Sequence, residues 1–218
     1  MTTPRFRTVV FDCDSTLSAI EGIDELAAGH REAIAALTAS AMRGAVPLET
    51  VYGARLALIR PGRVAVEALA AQYIAAAVPG ARETVLALRT HGVAVKILSG
   101  GLRPAILPFA AWLGLTDADV SAVDLYFHAD GSYAGFDEQS PLGRSGGKRT
   151  VVEAWRHELP GPILMVGDGI TDLEARPAVD RFVAYAGVVD RPAVTAAADA
   201  VIRTPSLLPI LREVLHTN

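Results

Sequence analysis

The sequence predicts an α/β fold: a Rossmann-like open parallel sheet core, with an all-helical cap inserted after the first strand and a small β-hairpin insertion further along. Three observations predict it. Short β-branched apolar runs recur along the chain and alternate with helical stretches. A long alanine-rich segment between the first two of these runs carries no strand signal. Further on, an Asp-Gly step joins two aromatic-bearing runs, a local hairpin signal.

The first strand is expected at Thr8–Asp12 (TVVFD), short and apolar enough to be buried on both faces of a parallel sheet. Val93–Leu98 (VAVKIL), Ile163–Val166 (ILMV) and Phe182–Tyr185 (FVAY) have the same character. Helices are expected at Arg82–Thr90 and Lys148–Glu158, stopped by Gly92 and by Pro160-Gly161. From Glu21 to Val78 the pattern is helical throughout, with breaks near Val46-Pro47 and Arg60-Pro61-Gly62. This gives a core domain of 1–18 plus 79–218 and a helical cap of 19–78. Alanine-rich helices bury little area each, which suits a moving lid. A second small insertion is expected at Val123–Phe136, and an amphipathic helix at Thr204–His216.

Composition narrows the function. With 51% hydrophobic and 20% charged residues, the 218-residue chain can build a core without staples. A net charge of −4 and scattered Lys and Arg argue against a nucleic-acid partner or a membrane-surface patch. No apolar run reaches the roughly 18 residues needed to cross a bilayer. Cys13 is the single cysteine, so no intramolecular disulfide forms. The N-terminus enters its first strand at once, leaving no room for a signal peptide; a cytoplasmic protein, monomer or homodimer, is expected.

Open α/β sheets place their sites at the C-terminal strand ends. Four such ends here are polar. Asp12-Cys13-Asp14-Ser15-Thr16 follows the first strand: one carboxylate there can attack phosphorus while the other protonates a leaving alkoxide and later deprotonates water. Taken alone, the same residues serve equally as a turn. Ser99-Gly100-Gly101 offers a hydroxyl and free amides, a phosphate cradle or an ordinary glycine loop. Lys148, after Gly146-Gly147, can neutralise phosphate or simply be solvated. Gly167-Asp168-Gly169-Ile170-Thr171-Asp172 puts two acids one helical turn apart, more than a helix cap requires.

Together these ends bring Asp12, Asp14, Asp168 and Asp172 into one crevice. Two like charges about 4 Å apart repel by about 4 kcal/mol at an effective dielectric near 20. Converging carboxylates therefore call for a cation, and hard oxygen ligands without His or Cys point to magnesium.

The four segments, in this order and spacing, resemble the motifs of the haloacid dehalogenase superfamily, and over nearly the whole chain those of the phosphoserine phosphatase family. The resemblance implies Asp12 as nucleophile, Asp14 as general acid/base, and Ser99, Gly100 and Lys148 as phosphate ligands. It implies magnesium on Asp12, the Asp14 carbonyl and Asp168, with Asp172 in support. Glu21-Gly22-Ile23-Asp24-Glu25-Leu26-Ala27, Met42 and Arg55 also sit where that family has them. Glu21, Met42, Arg55 and Thr171 are then the substrate contacts, Glu21 facing an ammonium and Arg55 a carboxylate, as a zwitterionic phosphomonoester requires. Leu48 departs from the aromatic residue of some members. Rival readings are a phosphotransferase with the same motifs, a phosphatase of another small phosphomonoester, and a regulatory protein without catalysis. The five histidines are dispersed, and Trp112 and Trp155 read as core or interface aromatics.

Overall fold

The computed structural model describes residues 4–27, 29–42 and 48–215, with the side chains of residues 35, 38–42 and 48 left out. The first apolar run forms β1 (Thr8–Phe11). Four helices follow it: α1 (Gly22–Glu25), α2 (Arg31–Met42), α3 (Leu48–Ile59) and α4 (Arg63–Ala75). Then come α5 (Ala81–Thr90), β2 (Ala94–Leu102), α6 (Arg103–Leu113) and β3 (Val120–Val123). The hairpin is β4 (Leu125–Phe127) with β5 (Tyr133–Phe136), and α7 (Gly147–Trp155), β6 (Ile163–Gly167) and α8 (Ile170–Glu174) come next. The described chain ends with β7 (Arg181–Tyr185), α9 (Pro192–Thr195), β8 (Ala200–Ile202) and α10 (Ile210–Val214).

Six strands form one sheet in the order β3-β2-β1-β6-β7-β8, every pair parallel. β1 is buried on both faces, as its uninterrupted apolar sequence requires. The order runs outward from β1 in two directions, so the crevice at the topological switch opens above the ends of β1 and its neighbours. Register fixes what meets there. Phe11 pairs with Ile97 and with Val166, so Asp12 leaves the sheet beside the ends of β2 and β6.

The structure departs from expectation at several elements. Val123, expected to open the hairpin insertion, closes a parallel strand, and the hairpin itself starts at Leu125. β8 is three residues long, too short for its period to show in an alanine-rich stretch. β2 runs on through Ser99-Gly100-Gly101 to Leu102. The final helix is confined to Ile210–Val214 behind Pro209; His216 lies outside the described residues.

Among the described residues, the helices α1–α4 meet the rest of the fold in several places, two of which stand out. α4 packs along α6, with Tyr73 stacked on Phe109 at 5.8 Å and Phe109 on Trp112 at 6.0 Å. The hairpin grips the α3–α4 corner. The Arg63 amide donates to the Gly131 carbonyl at 2.9 Å, and the guanidinium groups of Arg63 and Arg60 lie 4.9 and 5.8 Å from the Phe127 and Tyr133 rings. Among the described residues, no helix is long and apolar enough to cross a membrane.

Candidate active site

The Asp12 amide donates to the Val166 carbonyl at 2.9 Å, anchoring the motif to β6 as the chain leaves β1. Asp12 is 6% exposed, and its Oδ1 lies 2.5 Å from Lys148 Nζ. Lys148 comes from the first turn of α7. Gly147 before it has no room for a side chain: a Cβ would lie 1.8 Å from the Pro141 carbonyl oxygen. That close approach seats the helix start against the site. The second partner of Lys148 is Asp172 Oδ1, at 2.6 Å. Asp172 is fully buried, and its other oxygen accepts from the Gly169 amide at 2.9 Å, fastening the start of α8.

Asp168 follows β6 and is buried; its Oδ1 accepts from Thr16 Oγ1 at 3.2 Å. One oxygen each from Asp12, Asp168 and Asp172 lies within 4.8 Å of the others. Three buried carboxylates with hard oxygen donors fit a divalent cation, because Lys148 and Arg191 together leave one of the three negative charges unbalanced.

Asp14 faces elsewhere. Its Oδ1 accepts from Tyr73 Oη at 2.6 Å and from the Gly22 amide at 2.8 Å, and its Oδ2 from Ser99 Oγ at 3.2 Å. Ser99 Oγ also receives the Gly101 amide at 2.9 Å, while the Gly100 carbonyl accepts from Tyr52 Oη at 2.8 Å.

Burial and the Asp172 carboxylate push the Asp12 carboxyl well above its ordinary range, against Lys148, which pulls it down. Burial also raises Asp14, opposed by its bonds from Tyr73, Gly22 and Ser99. For Lys148, burial disfavours the charge, but the Asp12 and Asp172 carboxylates outweigh it and hold the ammonium above the usual lysine range.

Of the expected substrate contacts, Glu21 and Arg55 belong to the helical segment 19–78 and Thr171 to α8. Ser15, in the left-handed region at φ 53°, turns its hydroxyl onto Glu21 Oε1 at 2.8 Å. The Glu21 side chain is half-exposed, and partial desolvation of its carboxyl, with the Asp14 charge, pushes it up to about 7. Arg55, mostly buried, forms an ion pair with the half-exposed Asp24. Thr171 stands half-buried in the first turn of α8. The side chains of Met42 and Leu48 lie outside the described ones.

Among the residues that escape sequence reasoning, two bond the site's acids directly. Arg191, at the start of α9, donates from Nε to Asp168 Oδ2 at 3.0 Å and lies 3.6 Å from Glu21 Oε1. Tyr73 carries the bond to Asp14. Neither belongs to a motif, and an aromatic in an apolar helix reads as core.

Comparison with known proteins follows the same lines. A family model described as haloacid dehalogenase-like hydrolase matches residues 6–180. The chain is 42% identical over 186 residues to the phosphoserine phosphatase of Bos taurus, spanning 84% of this chain and 83% of that one. It is 44% identical to the chloroplastic phosphoserine phosphatase of Arabidopsis thaliana, over 89% of this chain and 68% of the other. A solved structure of a phospho-aspartyl intermediate analogue of phosphoserine phosphatase matches with a TM-score of 0.76 at 27% identity, covering 95% of this chain and 98% of that one.

Proposed function

The chain belongs to the haloacid dehalogenase-like hydrolases, and from that premise we propose that it hydrolyses O-phosphoserine to serine and phosphate through a phosphoryl group carried on Asp12. The observation that carries this reading is the contrast between two carboxyls two residues apart. Asp12 is gripped by an ammonium, whereas Asp14 is held by the neutral donors Tyr73, Gly22 and Ser99. Paired acids in such different settings suit a nucleophile and a proton carrier. The relatives named phosphoserine phosphatase, and the phospho-aspartyl analogue among the structural neighbours, support the same substrate and intermediate.

In this reading an Asp12 oxygen attacks phosphorus. The bond from phosphorus to the serine oxygen breaks, and the Asp14 carboxyl proton passes to that oxygen. Asp14, now a carboxylate, takes a proton from water as the water oxygen attacks phosphorus. The bond to Asp12 breaks, and phosphate leaves. Ser99, Gly100 and Lys148 hold the phosphate oxygens, with Lys148 offsetting their charge. Magnesium is the cation assigned to Asp12, Asp168 and the Asp14 carbonyl, with Asp172 in support; when bound it supplies positive charge that orients the phosphate.

Glu21 receives the substrate ammonium and Arg55 its carboxylate, which takes the place of Asp24 on the guanidinium. Met42 and Thr171 complete the substrate contacts. The helices of 19–78 act as a lid, with α4 as the part fixed to the core.

The test is a substrate panel with the Arg55→Ala variant. Phosphoserine is expected to be the best substrate, and the variant to lose about 100-fold in kcat/KM on it, the scale of one charge-assisted ion pair. p-Nitrophenyl phosphate, which has no carboxylate, should be spared. Equal loss on both would contradict the substrate assignment.

A further inference from the structure

We propose that Tyr73 is a positioning residue for Asp14, holding one oxygen of that carboxyl so that the other faces the Ser99 loop. The inference rests on the reading of Asp14 as general acid/base and adds a residue to it.

Tyr73 belongs to α4, whose other buried residues, Val66, Leu69 and Ala70, are small or aliphatic. A phenol buried in such a helix is unfavourable unless its hydroxyl is bonded. Tyr73 is completely buried, and its hydroxyl ends 2.6 Å from Asp14 Oδ1. The ring is fixed by its stack on Phe109, and the Tyr73 carbonyl accepts from Ser18 Oγ at 3.0 Å. Backbone and ring are thus both anchored, so the hydroxyl position is set by the core helix α6 and by the strand-end turn.

Gly22 is shaped to this hydroxyl. A Cβ there would lie 2.0 Å from Tyr73 Oη, so the absence of a side chain at Gly22 makes the space that the phenol fills. The same Gly22 amide is the second donor to Asp14 Oδ1, at 2.8 Å.

Two donors from different elements, the phenol of α4 and the amide of α1, fix Oδ1 and with it the plane of the carboxyl. Oδ2 is then turned toward Ser99, whose Oγ donates to it at 3.2 Å. Tyr73 thereby aims the acid at the leaving oxygen without touching substrate. A purely structural tyrosine would instead contribute to packing and leave the leaving-group chemistry alone.

The experiment is a leaving-group series on the full chain with magnesium. Aryl phosphates of graded leaving-group ability carry neither ammonium nor carboxylate, so amino-acid recognition does not enter. For Tyr73→Phe, kcat/KM should fall by about 10–100-fold on the poorest leaving group, the scale of a small misplacement of a reacting group. It should change little on the best one, which departs without a proton. The slope of log kcat/KM against leaving-group pKa should therefore steepen. Gly22→Ala, which drives a methyl into the phenol's place, should steepen it too, with melting curves confirming that each variant is folded. Slopes parallel to the native enzyme would overturn the assignment of Tyr73. Asp14→Asn separates the two levels: native-like turnover in that variant would overturn the acid/base reading itself. Loss in Asp14→Asn with a native slope in Tyr73→Phe would overturn the Tyr73 proposal alone.

Discussion

The ammonium of Lys148 lies 2.5 Å from Asp12 Oδ1, and both groups are almost completely removed from solvent. A buried pair of this kind adds little net stability compared with an apolar pair, but removing one partner strands the other charge. Lys148 also separates Asp12 from Asp172, so its loss leaves two carboxylates facing one another. Lys148→Met should destabilise the metal-free protein by about 3–5 kcal/mol. It should also lower kcat by at least ~100-fold, the scale of one lost electrostatic contact to the transferring group. Urea denaturation and steady-state kinetics check both. Unchanged denaturation midpoints would remove Lys148 from the charge balance.

Gathering of Asp12, Asp168 and Asp172 should show as cation-dependent stability. A ligand at a hundred times its dissociation constant stabilises the native state by about 2.7 kcal/mol. For a chain of this size that is a rise of about 5–10 °C in Tm. Thermal melts of chelator-treated protein titrated with magnesium should show this rise, and Asp168→Asn should flatten it. A magnesium-independent Tm in the native protein would contradict the assignment.

Much of the site was legible because three of its four motifs lie where the apolar run of a strand gives way to polar residues. β1, β2 and β6 therefore announce the places of Asp12, Ser99 and Asp168. β3 and β8 were not legible: four and three residues are too few to show a period, and only one residue separates β3 from the hairpin. The partners of Asp14 and Asp168 were hidden for another reason. Tyr73 and Arg191 reach the site through tertiary packing, from 59 and 23 residues away. Nothing in their local sequence distinguishes them from an ordinary core aromatic and a solvated arginine.

Glu21 gives the account a pH dependence. Its carboxyl is pushed up to about 7 from an ordinary value of 4.5 by partial desolvation and by Asp14, with Asp168 adding and Ser15 and Arg191 opposing. A raised pKa in the folded state means that the stability linked to this group is complete below about 4.5. It is lost as the pH rises through about 7. Glu21→Gln should therefore match the native protein near pH 4.5 and exceed it in stability at pH 8. Binding has the opposite sign, because an ammonium needs the carboxylate: KM for phosphoserine should rise as the pH falls below 7. That rise should vanish in Glu21→Gln. Parallel KM profiles for the two proteins would exclude Glu21 as the ammonium partner.

The most direct measurement concerns the covalent step. Native protein mixed with phosphoserine and magnesium, quenched in acid during turnover and digested, is examined by mass spectrometry. One phosphoryl group is expected on the peptide containing Asp12, chasing to free phosphate on delay, and Asp12→Asn should neither carry the group nor turn over. A phosphoryl group on another residue, or phosphate release by Asp12→Asn at the native rate, would contradict the account.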